Sequence, residues 1–135
     1  MEKEFTLEVA TPERMVVSLP VEDLTAPGFE GQFGVLPGHT PYLCRTRTGE
    51  LSYLSRGTRY FLAVGEGFAE VLHDKVTILV DTAEKPEEVD LERAKKARER
   101  AEQKMKGLTL DDKEFLAAQA ALQRAITRIK LKEGV

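Results

Sequence analysis

Gly31-Gln32-Phe33-Gly34-Val35-Leu36-Pro37-Gly38-His39-Thr40-Pro41 is the stretch whose reading decides the fold. Three glycines and two prolines fall within eleven residues, with Phe33, Val35 and Leu36 between them. Glycine accepts positive φ and lets backbones approach closely. Proline fixes φ and lacks a backbone donor, so Pro37 and Pro41 do not belong inside a central strand. Pro37-Gly38 is a turn dipeptide. The stretch therefore predicts a short apolar strand running to Leu36, a turn at Pro37-Gly38, and His39 at the corner. The glycines do not follow G-x-G-x-x-G and no Gly-Lys-Ser/Thr follows, so phosphate cradling is not indicated.

The segments on either side read as short strands. Glu4 to Val9 alternates polar and apolar, the period of a half-buried strand. Thr11-Pro12-Glu13-Arg14 is a turn, Met15 to Leu19 a second strand, Val21 to Thr25 a third, and Ala26-Pro27-Gly28 a turn into the central stretch. After Pro41 come Tyr42 to Arg45, a turn at Thr48-Gly49-Glu50, and a hairpin of Leu51–Leu54 and Tyr60–Val64 around Arg56-Gly57-Thr58. Gly65-Glu66-Gly67 interrupts before Phe68 to Leu72, and His73-Asp74-Lys75 turns into Val76 to Val80. Turn signals every 8–12 residues between short strands indicate an antiparallel sandwich or barrel over residues 1–84.

Composition changes at Lys85-Pro86-Glu87-Glu88, where Pro86 marks the boundary of a second domain over residues 85–135. Asp90 is a good N-cap, and Leu91, Ala94, Ala97, Ala101 and Met105 recur at three- and four-residue steps. Gly107 ends that helix. Thr109 opens the next, with Asp112 in capping-box spacing, and Phe115, Ala118, Leu122, Ile126 and Ile129 form its apolar stripe. The short connection predicts an antiparallel α-helical hairpin. Its faces are alanine-rich, which permits close packing and high helix propensity but gives little burial energy.

Of 135 residues, 41% are hydrophobic and 32% charged, enough for a core and a polar helical surface. No 18-residue apolar run and no apolar N-terminal segment occurs, which reads as a soluble, non-secreted chain. The lone Cys44 forms no internal disulfide, and two histidines offer no zinc-ligand spacing. Residues 1–84 hold 7 Lys+Arg against 13 Asp+Glu, a net of −6, while residues 85–135 hold 13 against 10, a net of +3. Opposite signs suggest different partners for the two halves. The interleaved carboxylates of the second half argue against nucleic acid. His39, His73 and Cys44 are the residues a small enzyme would use. His39 follows a turn without a nucleophile or paired acid in its motif, His73 sits in a second turn, and Cys44 reads as a packed strand residue.

The Gly-x-x-Gly-x-Leu-Pro-Gly-His-x-Pro pattern of residues 31–41 resembles a signature of the epsilon subunit of F-type ATP synthases. Gly65-x-Gly67-Phe68-x-Glu70-Val71 followed by Val76-Thr77-Ile78-Leu79 is a second segment of that resemblance. Val89-Asp90-Leu91-Glu92-Arg93-Ala94 resembles the Ile/Leu-Asp-x-x-Arg-Ala motif at which some bacterial epsilon subunits bind ATP. The resemblance spans essentially the whole chain. It implies a ten-stranded β-sandwich followed by a helical hairpin. It further implies a non-catalytic place in the rotating central stalk, with the sandwich against the gamma subunit and the c-ring. Gln32 and His39 are the contact residues it suggests, although Gln32 and Phe33 stand where relatives often carry an acidic residue and a leucine.

ATP, as a regulatory ligand and not a required cofactor, would meet Glu84, Val89, Asp90, Arg93, Ala94 and Arg100. Arg93 and Arg100 are two helical turns apart and share a face, and a guanidinium fork suits phosphate oxygens. Asp90 and Glu84 would accept from the adenine amino group. An extended hairpin would inhibit ATP hydrolysis by entering the catalytic head of alpha and beta subunits. Arg124, Arg128, Lys130 and Lys132 would meet acidic segments there, although a basic C-terminus also suits the dipole of any helix. The implied location is peripheral, on the cytoplasmic face of the bacterial inner membrane. A free-standing sandwich and hairpin adaptor that binds a partner protein is the alternative.

Overall fold

The structure, a computed structural model, describes residues 3–134. The backbone divides into two compact units, residues 1–85 and 86–135. The first unit contains ten strands: β1 Phe5–Ala10, β2 Met15–Val21, β3 Asp23–Gly28, β4 Gly31–Val35, β5 Tyr42–Thr46, β6 Gly49–Ser55, β7 Thr58–Val64, β8 Gly67–Val71, β9 Lys75–Val80 and β10 Ala83–Glu84. They follow the order β10-β7-β6-β3-β5-β8-β9-β1-β2, with β4 paired to β3. The two-residue period sets which side chains turn inward. Phe5, Leu7 and Val9 of β1 are buried, as are Val76, Ile78 and Val80 of β9. Leu24, Leu51, Leu62 and Val71 complete the centre, each burial contributing about 1.5–3 kcal/mol. The end of β2 is tied to β6 by the Glu22 amide donating to the Leu54 carbonyl at 2.7 Å and Ser55 Oγ donating to the Pro20 carbonyl at 3.0 Å.

Several local expectations are corrected. The expected all-antiparallel pairing fails at one place, where β1 runs parallel to β9 with Leu7 opposite Val76 and Val9 opposite Ile78. Ala26-Pro27-Gly28 is not a turn but the end of β3, paired to Phe33, Gln32 and Gly31. The Pro27 carbonyl accepts from the Arg47 amide at 2.9 Å. Gly28 is needed for close approach, since a Cβ there would lie 2.6 Å from the Gly31 carbonyl oxygen. The actual turn is Phe29-Glu30, with Gly31 at φ 135°. Val21 belongs to β2, β4 stops at Val35 rather than Leu36, and the turn before β6 is already strand at Gly49.

In the second unit a 3-10 turn, Pro86–Glu88, precedes α1, Leu91–Met105, and α2, Lys113–Glu133. Asp90 caps α1, its Oδ1 accepting from the Arg93 amide at 3.1 Å. Gly107 lies at φ 80° just beyond the helix end, the left-handed conformation that glycine adopts freely. Thr109 does not open α2. Asp112 is the N-cap, and its Oδ2 accepts from the Thr109 amide at 3.0 Å and from Thr109 Oγ1 at 3.3 Å, closing a turn before the helix. Ala94 and Ala101 of α1 are buried on one helix face, as are Ala118, Ala125 and Ile129 of α2, while Leu131 is buried on another face of α2. Ile126 was expected in the stripe but is exposed, and Ala125 takes that place. Steps of three and four between 118 and 129 admit either residue 125 or residue 126, and the helix turns 125 inward.

Candidate functional site

The signature loop joins β4 to β5. Gly38 has φ 79°, and Leu36 is 65% exposed at its edge. The rings of Phe33 and Tyr42, from the strands on either side, meet edge-on at 5.7 Å. The His39 Nδ1 lies 2.6 Å from the Thr40 carbonyl, a contact that fits an Nδ1–H donor. Gln32 is exposed on β4, opposite Pro27. Cys44 is half-buried two residues from Tyr42, and its hydrogen bond with the Tyr42 hydroxyl pushes that phenol above its ordinary pKa. His73 occupies the β8–β9 turn, and its Cε1 is 3.9 Å from where a Cβ on Gly38 would stand. Among the described residues, no group of three His, Cys, Asp or Glu is placed to hold a metal ion.

The outer face of β5, β8, β9, β1 and β2 carries a feature that sequence reasoning missed. Register places Arg45 opposite Phe68, Phe68 opposite Leu79, Leu79 opposite Ala10 and Ala10 opposite Met15. Directly opposed residues share a face, so these five form one row across five strands. Phe68, Leu79 and Met15 are each 54–55% exposed. Leu43, on the same face of β5, is 70% exposed, and the Arg45 guanidinium lies 4.6 Å from the centre of the exposed Phe29 ring. Apolar groups gathered on the outside of a sheet mark a surface made for contact. The readable signal was Leu79, an apolar residue in the outward phase of β9 beside Lys75 and Thr77.

The residues assigned to a nucleotide lie in different local settings. Val89 and Ala94 are buried, and Asp90 commits one carboxylate oxygen to capping α1. Arg93 and Arg100 are exposed on α1, while Glu84 belongs to β10 in the first unit. Arg100 instead joins Lys104 and Lys106 around a groove of about 500 Å³ between α1 and α2. Its floor is Ala97, Ala101, Ala117, Ala118 and Ala121, with Leu108 and Glu114 at the side. The four basic residues of α2 also differ among themselves. Arg124 and Arg128 are half-buried, Lys130 is exposed, and Lys132 Nζ donates to the Pro86 carbonyl at 3.1 Å.

Comparison with known proteins agrees with this architecture. Residues 4–86 match the family described as ATP synthase, Delta/Epsilon chain, beta-sandwich domain, and residues 87–133 match its long alpha-helix domain. The ATP synthase epsilon chain of Citrifermentans bemidjiense is 47% identical over 131 residues, covering 97% of this chain and 95% of that one. The ATP synthase epsilon chain of Nitratidesulfovibrio vulgaris is 45% identical over 132 residues, covering 98% of each. A chain in the structure of the Euglena gracilis mitochondrial ATP synthase, described as OSCP/F1/c-ring in rotational state 1, superposes with a TM-score of 0.82 at 25% identity. That match covers 94% of this chain and 80% of the other. With both domains matched in order and the full length shared with such relatives, this chain belongs to the epsilon-chain family of the F-type ATP synthases.

Proposed function

We propose that the chain is a non-catalytic rotor subunit of a proton-translocating F-type ATP synthase. The β unit docks on the gamma subunit through the apolar row and presents the Gln32–His39 loop to the c-ring, coupling proton flow to rotation. The observation that carries this reading is the row Arg45, Phe68, Leu79, Ala10 and Met15, with Leu43 and Phe29 beside it. So much exposed apolar surface on an ordered sheet needs a partner. Attachment is peripheral, on the cytoplasmic face of the inner membrane. No helix among the described residues is long and apolar enough to span a bilayer.

The helical unit regulates. In its extended form α2 enters the catalytic head, where Arg124, Arg128, Lys130 and Lys132 face acidic surfaces of the alpha and beta subunits and slow ATP hydrolysis. ATP favours the closed hairpin by binding across Arg93 and Arg100, with Asp90 and Glu84 toward the base and Val89 and Ala94 as packing support. The cationic groove beside Arg100 supports an anionic ligand on this unit. Two measurements test the regulatory reading. Calorimetry should detect ATP binding to the isolated chain at millimolar concentration. Arg93→Ala and Arg100→Ala should each weaken it by about 1.5–3 kcal/mol, the worth of a hydrogen bond to a charged group. Deletion of residues 111–135 should raise hydrolysis by the assembled enzyme while coupling survives. Absence of binding heat removes the nucleotide role, and unchanged hydrolysis removes the inhibitory one.

A further inference from the structure

The last turn of α2 returns to the turn that precedes α1. The Pro86 carbonyl accepts twice there, from the Val89 amide at 3.2 Å and from Lys132 Nζ at 3.1 Å. The first bond closes the 3-10 turn Pro86–Glu88, and the second ties the far end of the hairpin to it. Beside this point Glu133 Oε2 lies 4.0 Å from Lys95 Nζ of α1, and Leu131 is 5% exposed. Lys130, one residue before Leu131, is exposed. Both lysines of this basic helix end are exposed, but Lys132 holds a carbonyl of the linker turn through an exposed bond. An ammonium on the carbonyl that opens this turn makes a charge-assisted bond.

We propose that Lys132 is a clasp that holds the hairpin shut at its linker end, and that its release from the Pro86 carbonyl is a required step before α2 extends. This rests on the reading above that the hairpin opens. The clasp also makes the two uses of Lys132 exclusive. While it holds Pro86 it is withheld from the acidic surface of the catalytic head, so its loss weakens both the closed state and the inhibited state.

The test uses the full-length chain and amide hydrogen exchange at residues 127–131. Lys132→Met removes the donor and keeps an apolar stem. Lys130→Met makes the same charge change one turn face away, and Lys132→Arg restores a donor. Exchange should quicken about three- to tenfold in Lys132→Met, the range expected for one exposed charge-assisted bond. It should stay within about twofold of wild type in Lys130→Met and Lys132→Arg. Equal acceleration in Lys130→Met and Lys132→Met would overturn the clasp, because net charge on the helix end would then be the cause. No acceleration in Lys132→Met would overturn it as well. The exchange experiment involves no other subunit. A clasp that fails there is thus distinct from failure of the opening model, which is read from hydrolysis after deletion of residues 111–135.

Discussion

Gly67→Ala tests whether the sandwich depends on the close pairing of β8 with β9. A Cβ at residue 67 would lie 1.9 Å from the Leu79 carbonyl oxygen, 2.7 Å from Val80 Cα and 2.8 Å from the Leu79 carbonyl carbon. Ordinary contact begins at 3.4 Å, so the strands must separate by about 1.5 Å at a point where Gly67 faces Val80. All three obstructing atoms are backbone, and no rotamer change relieves them. The displacement sacrifices one or two ladder hydrogen bonds at about 1 kcal/mol each and adds overpacking strain of about 1–3 kcal/mol. A total of about 2–5 kcal/mol is a large share of the stability of a small domain. It corresponds to a fall in Tm of about 10–40 °C for the β unit, followed by circular dichroism. Gly34→Ala is the comparison, because its Cβ would meet the Leu24 carbonyl oxygen at an ordinary 3.8 Å. A Tm for Gly67→Ala within about 3 °C of wild type would refute the argument that this pairing admits no side chain.

Two further outcomes follow from the division of the chain and the charge on α2. A fragment ending at Glu84 should fold, give dispersed amide signals in NMR spectra and retain binding to gamma; a molten product would contradict an independent sandwich core. Replacing Arg124, Arg128, Lys130 and Lys132 by alanine should raise ATP hydrolysis by the assembled enzyme, by less at high ionic strength where wild-type inhibition is already screened. Steady-state hydrolysis at two salt concentrations checks this, and a wild-type rate in that variant beside an activated deletion would shift the role to Phe115, Leu122 and Ile126.

Much of the architecture was legible because local chemistry and tertiary structure agree. Alternation in β1, Pro37-Gly38 at the signature turn, Asp90 before α1 and Gly107 beyond it each announce their element, and each stands there in the structure. The misreadings share one cause, a contact distant in sequence. Pro27-Gly28 looks like a turn, yet its pairing with β4 and the Arg47 amide makes it strand. Nothing local in β1 reveals that its neighbour β9 runs parallel. Ile126 lost its place to Ala125 because steps of three and four admit either position, and only the docking of the helix decides between them. The candidate site was legible to a different degree. The motif residues were assigned by likeness alone, and the groove that Arg100 shares with Lys104 and Lys106 was not foreseen. The apolar row was missed because its members come from different strands and converge only through register.

The affinity of the full-length chain for the purified gamma subunit tests the central claim most directly, measured for wild type and for the double variant Phe68→Ser, Leu79→Ser. Both side chains are 55% exposed in the free chain, so the exchange should leave its own fold and melting temperature nearly intact. Covering their exposed parts would remove on the order of 150–200 Å² of apolar area from water, worth about 4–5 kcal/mol at 25 cal/mol/Å². The costs of association reduce the realised share to about 2–3 kcal/mol. The account predicts that Kd for gamma rises at least about thirtyfold in the double variant. A folded double variant that binds gamma within about threefold of wild type would contradict docking through this face.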